Sequence, residues 1–447
     1  MKKNTEMTEG VIWKSIITFA IPLLIGNLFQ QLYNTVDSIV VGNFVGKEAL
    51  AAVGSTTTII NMLVGFFMGL STGASVIISQ YFGAKDHKKL HAAVHTSIAM
   101  TFLLGIIMTF VGIVLSPTLL KFMNTPDDVI PLSSLYLKIY FAGIIGLMLY
   151  NMGSSILRAI GDSKKPLYFL IFSSIVNTIL DLVFVVLFGM GVDGVAWATL
   201  IAQASSAVLV LYTLYKSKES YHLILKDLKL DMEMFKKMIN IGLPAGFQQS
   251  ITAFSNIFVQ GYINVFGSSV MAGWSSYLKV DSFVLLPMQS IALASTTFVG
   301  QNIGAKQLDR AKQGTKTSLI ISVTTTIVLS ILLNILGKYV LYIFTTDQEV
   351  IQNGMMMMRL FSPFYFVMCF TQIYAGALRG AGDSKAPMII MLSSFVVFRQ
   401  LSLFIGTKFF SSVEYVIFTY PMGWVLAASL MTYYYHQKKW LKKLYNI

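Results

Sequence analysis

The sequence predicts an all-α polytopic membrane protein with twelve transmembrane helices in two parallel-repeat six-helix lobes. Three observations predict this class. Of the 447 residues, 55% are apolar and only 12% charged, and mean hydropathy is +0.68. That is about half the charge of an average soluble domain. Apolar stretches recur along the whole chain, each long enough to cross ~30 Å of hydrocarbon as a helix. The third observation is a repeat: Leu-Arg-x-x-Gly-Asp-Ser-Lys-x-Pro occurs at 157–166 and again at 378–387, an offset of 221.

A second string keeps the same offset, Gln80, Gly83, Ala84 and Lys85 against Gln301, Gly304, Ala305 and Lys306. A third, Phe19 to Pro22 against Ile241 to Pro244, lies one residue out of register. Such a self-match means two copies of one unit. The first lobe takes residues 1–220 and the second 221–447. Six spans per copy is an even number, so both copies enter the membrane in the same sense, related by a pseudo-twofold along its normal.

In order, the first copy's spans fall near 15–45, 51–81, 92–115, 132–156, 167–188 and 195–215. Those of the second fall near 238–266, 270–299, 317–337, 355–377, 388–409 and 414–435. The first span follows a polar start and carries Gln30, Asn34 and Asp37; no small-residue cleavage site follows a short apolar core, so it is read as a retained span. Pro22 and Pro244 give the first and seventh helices points of bending. Asn151 interrupts the fourth. Arg158 and Arg379 close the fourth and tenth, where a cation complements a helix C-terminus. Gly-Asp-Ser then supplies a tight turn, and Pro166 and Pro387 open the next helices.

Charge placement sets the orientation. Most of the 33 basic residues fall in alternate connections, around Lys85, Arg158, Lys216, Lys306, Arg379 and Lys438. The opposite loops hold Asp127, Asp128, Asp193, Asp347 and Glu349. The positive-inside rule therefore places both termini in the cytoplasm. The net charge of +13 is a topology signal and a grip on anionic lipid, and nucleic acid is excluded as a partner. The 216–237 linker is amphipathic and suits the cytoplasmic interface. A single cysteine, Cys369, excludes intrachain disulfides and thiolate metal cages.

Ionisable residues inside spans are costly and mark function by default. Asp37 shares a helical face with Asn34, and Asp181 with Asn177. Thr199 and Gln203 form a further i, i+4 polar pair. Carboxylate, amide and hydroxyl oxygens on three helices suit a small hard cation such as Na⁺. Two acids in one dry site also admit a proton. The competing reading is interhelical hydrogen bonding that fixes packing. Asp37 maps onto Phe258 or Val259 in the second copy, so any coupling site belongs to the first lobe.

The second lobe offers Gln249, Thr252, Asn256 and Gln260 along its first span as cavity-lining residues. Lys279, Asp281 and Arg399 join them, with Arg399 expected to neutralise Asp281; Asn34 and Gln203 are the first-lobe cavity candidates. His87, His91 and His95 have the spacing of helical metal ligands. Lys88 and Lys89 adjoin them and no acid shares their face, so they read as a solvated helix start, and no metal beyond Na⁺ is expected.

The Ile21-Pro22 pair, the Asp37-x-x-x-x-Gly42 segment, Gln80-x-x-Gly83-Ala84, Leu157-Arg158-x-x-Gly161-Asp162 and their second-half copies together carry a resemblance. Over essentially its full length the chain resembles the multidrug and toxic compound extrusion (MATE) transporters. The resemblance implies two six-helix lobes around a V-shaped cavity and export of cationic or amphipathic compounds in exchange for Na⁺ or H⁺. It implies no cofactor, a monomer in the cell (plasma or inner) membrane, and small-molecule substrates. The match is to the DinF-like branch, whose first-lobe cation site corresponds to Asp37, Asn151, Asn177, Asp181 and Thr199. The NorM-like branch looks instead to acids in spans seven and ten, which here contain none.

Four other functions fit the sequence less well. A flippase for a lipid-linked precursor would favour an arginine-lined cleft, and that lining is missing. A channel would need a ring filter. An ATP-driven pump needs a GxxxxGK[ST] loop, and an enzyme a nucleophile with its base; the sequence supplies neither.

Overall fold

A computed structural model describes residues 6–122, 129–438 and 440–441. Asp127 and Asp128 lie outside the described residues, as do the side chains of Asn34 and Asp37, although both of the latter stand on the first helix. The helices are α1 (Ile12–Val40), α2 (Lys47–Gly83), α3 (His87–Phe122), α4 (Ile130–Ala142), α5 (Ile144–Ala159), α6 (Lys164–Asp181) and α7 (Val192–Tyr215). They continue as α8 (Met232–Asn264), α9 (Ser268–Gly304), α10 (Leu308–Tyr342), α11 (Gln348–Phe361), α12 (Tyr365–Gly380), α13 (Lys385–Leu392), α14 (Arg399–Gly406) and α15 (Val413–His436). Among the described residues there is no strand.

Among the described residues, ten helical segments are long and apolar enough to cross a membrane, and α4 with α5 make an eleventh, bent by 50°. The twelfth is α8, of 33 residues but more polar, with Gln248, Gln249, Asn256 and Gln260 along it. The fourth span breaks at Gly143. A side chain at 143 would collide with Leu200 of α7. The tenth breaks at the corresponding place, through the 3-10 turn Ser362–Phe364 that contains Pro363.

The sequence repeat is a repeat of backbone. The helix pairs α2 and α9, α5 and α12, and α7 and α15 begin and end at positions 221 apart. Their caps repeat too. Asp162 N–H donates to Leu157 O at 2.9 Å, and Asp383 N–H to Leu378 O at 2.8 Å. Gly161 and Gly382 hold φ of 92° and 91° in these two caps. This is the six-to-one closure that ends a helix with a left-handed residue, which favours glycine. Lys85 and Lys306 sit at the same kind of position with φ of 54° and 60°.

Two compact units result. One is built on Pro22–Leu243; the other takes Met7–Ile21 and Pro244–Ile447. The chain passes from one unit to the other inside α1 at Pro22 and inside α8 at Pro244, while the 216–237 linker belongs wholly to the first.

In the first unit, α2 and the opening of α8 touch through glycines. A Cβ on Gly73 would stand 2.6 Å from Gly242 N, and one on Gly242 would stand 2.8 Å from Leu70 Cα. Small residues let backbones approach, the usual source of helix association in lipid. Gly73→Leu should therefore lower stability by about 1–3 kcal/mol through overpacking against backbone that cannot rotate away. Gly54→Ala on the same helix, with open space around it, should leave the melting temperature of the detergent-solubilised protein unchanged or slightly raised.

The second unit has a more aromatic core, with Trp274, Tyr277, Phe361, Tyr365 and Trp424 buried together. Its Gln301-x-x-Gly304-Ala305 motif ties down the segment at Met7: Met7 N–H donates to Gln301 Oε1 at 2.9 Å, and Asn302 Nδ2 donates to Met7 O at 3.2 Å.

Candidate functional site

The strongest candidate lies in the first unit, at the end of α6. Asp181 is 0% exposed and Asn177, one turn before it, 1%. Thr199 of α7, also buried, accepts a hydrogen bond from Asn177 Nδ2 at 3.4 Å. Ser173, one turn further back on the same face, donates to Ala202 O of α7 at 3.0 Å. These bonds stitch the polar face of α6 to α7 in the two turns that lead to Asp181.

Immediately after Asp181 the helix widens into a π turn, Leu182–Leu187. Another, Val41–Val45, follows α1 four residues beyond Asp37. Such turns inside helices are rare and frequent at functional sites. The two π turns pack against each other, and Val41 and Val185 are buried in one small core with Val192 and Val195. The chain next to Asp37 is thereby brought to the chain next to Asp181. Carboxylate, amide and hydroxyl oxygens are the donor set that a hard cation takes, and a buried acid also accepts a proton.

Asn151 is half-buried on α5 and donates to Leu147 O of its own helix at 2.9 Å. Gln203 stands half-buried one turn beyond Thr199.

In the second unit the expected pairing of Arg399 with Asp281 does not occur. Asp281 Oδ1 accepts from Tyr277 Oη at 3.0 Å and from Tyr365 Oη, which leaves the two tyrosine oxygens 2.6 Å apart. Arg399, 4% exposed, donates to Ser255 Oγ at 3.0 Å and Asn256 Oδ1 at 2.8 Å, and its guanidinium lies 4.4 Å from the centre of the Tyr420 ring. Tyrosine hydroxyls meet the carboxylate, while a serine, an asparagine and a π face meet the guanidinium. Lys279 is exposed, with its ammonium 5.2 Å from the Phe344 ring.

The stripe on α8 is only partly available to a ligand. Gln249 and Asn256 are exposed, Thr252 donates to Gln248 O at 2.7 Å, and Gln260 donates to Asn264 Oδ1 at 2.7 Å. The tyrosines around Asp281 and the serine beside Arg399 escaped the reading of sequence. The one signal was the i, i+4 spacing of Tyr277 and Asp281.

No acid shares the histidines' own helix face, but the linker brings one to it. Asp227, in the linker's short turn Leu225–Asp227, has Oδ2 3.5 Å from His91 Nε2.

A repeat of two helical units with a buried intramembrane acid defines a repeat-built multi-pass membrane transporter. The MatE family profile matches twice, over residues 22–183 and 244–404, once per copy. The probable multidrug resistance protein YoeA of Bacillus subtilis (strain 168) is 30% identical over 98% of this chain and 96% of its own length. The probable multidrug resistance protein YpnP of the same organism is 28% identical, covering 89% of each. In fold, an outward-facing multidrug resistance MATE family transporter of the MOP superfamily matches with a TM-score of 0.92 over 100% of both chains, at 22% identity. The chain belongs to the MatE family of membrane transporters.

Proposed function

We propose that this protein is a secondary active exporter of cationic or amphipathic organic compounds, driven by Na⁺ or H⁺ antiport. It works by alternating access in the cell membrane, as a monomer of the DinF-like kind, with both termini in the cytoplasm. The observation that carries this reading is the fully buried Asp181 with Asn177 and Thr199 beside it. A neutral residue would pack there at far lower cost, so a charge kept in that place has a use.

The mechanism runs through the state of the acids. Ionised Asp37 and Asp181 favour a cationic cargo. A cation entering from outside neutralises them, the first unit rearranges at the π turns and at Pro22, and cargo affinity falls. Release of the cation inward restores the charge. Coupling requires that cation and cargo differ in affinity for the two states. Asn34, Gln203, Gln249, Thr252, Asn256, Gln260, Lys279 and Asp281 are the residues offered to cargo. Arg399 acts on it through Asn256, whose carboxamide it holds.

The test is efflux of a fluorescent organic cation from proteoliposomes, with Na⁺ and pH gradients imposed separately. One inward gradient should drive export and its collapse should stop it. Export that ignores both gradients removes the antiport reading.

Orientation has its own test. In a Cys369→Ala background, single cysteines in the 216–237 linker should react only with membrane-permeant reagents in intact cells, and one at Glu349 should react with impermeant ones. External labelling of the linker would overturn the topology.

A further inference from the structure

Four of the chain's five histidines, His87, His91, His95 and His222, fall in the first turns of α3 or in the linker. The transport mechanism uses none of them. His91 and His95 are one turn apart and their rings stack, with centroids 3.9 Å apart. His95 is 1% exposed, whereas His91 and Asp227 are partly open to solvent.

The hydrogen bonds fix how His95 presents itself. Its Nδ1 lies 2.7 Å from His91 O and its Nε2 lies 2.9 Å from Ile224 N. A backbone carbonyl can only accept and a backbone N–H can only donate, so Nδ1 carries the proton and Nε2 presents its lone pair toward the linker. A ring nitrogen donating to a carbonyl while the other faces outward is how metal-bound histidines are held. Asp227 Oδ2 stands 3.5 Å from His91 Nε2. Two ligands each about 2.1 Å from one tetrahedral ion sit roughly 3.4 Å apart. One ligand atom from each of His91, His95 and Asp227 falls within 4.8 Å of the others. Closing this set needs a small inward movement of Asp227, which sits on a three-residue turn, and withdrawal of Ile224 N–H from His95 Nε2.

We propose that His91, His95 and Asp227 bind a divalent transition-metal ion of the Zn²⁺, Ni²⁺ or Co²⁺ class, which clamps the linker to α3. Two imidazole nitrogens and one carboxylate select these ions over Mg²⁺ and Ca²⁺, which prefer oxygen. The ion takes the His95 Nε2 lone pair from Ile224 N–H, and water completes its shell. The linker also meets α3 at Thr96, whose Oγ1 accepts from Asp231 N at 3.2 Å, so the ion replaces one linker–α3 bond beside another that stays.

Tag-free full-length protein in detergent is titrated with Co²⁺, whose visible absorption reports tetrahedral nitrogen and oxygen ligation, and then with Zn²⁺ in competition. One ion per chain is expected, unaffected by excess Mg²⁺. His91→Gln and Asp227→Asn, both on partly exposed side chains, should each weaken binding by at least about tenfold while eluting normally on gel filtration; His436→Gln should not. Zn²⁺ should also slow tryptic cleavage at Lys218, Lys226 and Lys229 in the wild type but not in His91→Gln. Absence of stoichiometric Co²⁺ or Zn²⁺ binding would overturn the proposal, as would binding that survives both His91→Gln and Asp227→Asn.

Discussion

Asp181→Asn abolishes gradient-coupled export while leaving the protein folded and inserted, and Asp37→Asn does the same. The amide keeps the size of the carboxylate and can still bond within the α6–α7 polar face, so packing survives. What is lost is the charge that a cation neutralises. Export by cells expressing either variant should fall to the level of cells without the transporter, with normal membrane abundance and a single gel-filtration peak. Asp281→Asn should have a smaller effect, since two tyrosine hydroxyls already satisfy that carboxylate. Wild-type export by both first-unit variants would remove the coupling assignment.

The second large effect is on stability. Arg399→Ala takes a buried guanidinium from Ser255, Asn256 and the face of Tyr420. Hydrogen bonds to a charged group are worth about 1.5–3 kcal/mol, and a desolvated cation–π contact about 2 kcal/mol. A loss near 3 kcal/mol is expected after relaxation, read as a markedly lower melting temperature in detergent. Arg399→Lys should recover part of it, because an ammonium keeps the charge but not the planar fork. Unchanged melting in Arg399→Ala would mean that the guanidinium is not held as described.

Much of the fold was legible because its punctuation is local. Each Leu-Arg-x-x-Gly-Asp-Ser copy encodes a helix end, a left-handed glycine and the next start within ten residues, and these caps recur with matching hydrogen bonds. The break in the fourth span was not foreseen, because no proline or charge marks it in the sequence. The bend follows from Gly143, which permits contact with Leu200. The π turns were invisible for a physical reason: a wider turn shifts the face of every residue after it without changing composition.

The candidate acids were legible as charges in apolar runs, and their immediate partners partly so, since Asn177 shares Asp181's face. Partners distant in sequence were not. The bond from Ile224 N–H to His95 spans 129 residues, and Asp227 reaches His91 only because the linker folds back onto α3. Expecting Arg399 to pair with Asp281 followed from opposite charges in one lobe. Each found nearer partners, tyrosine hydroxyls for the carboxylate and Ser255, Asn256 and the Tyr420 ring for the guanidinium.

The central claim is that a cation bound at the first-unit acids lowers affinity for cargo. Equilibrium binding of a fluorescent organic cation to purified protein tests it most directly, titrated with Na⁺ at fixed pH and with H⁺ in the absence of Na⁺. A coupling of ~1–3 kcal/mol predicts that cargo affinity falls roughly 5–150-fold in one of these titrations, and that the fall disappears in Asp181→Asn. The same affinity across both titrations in the wild type would contradict it.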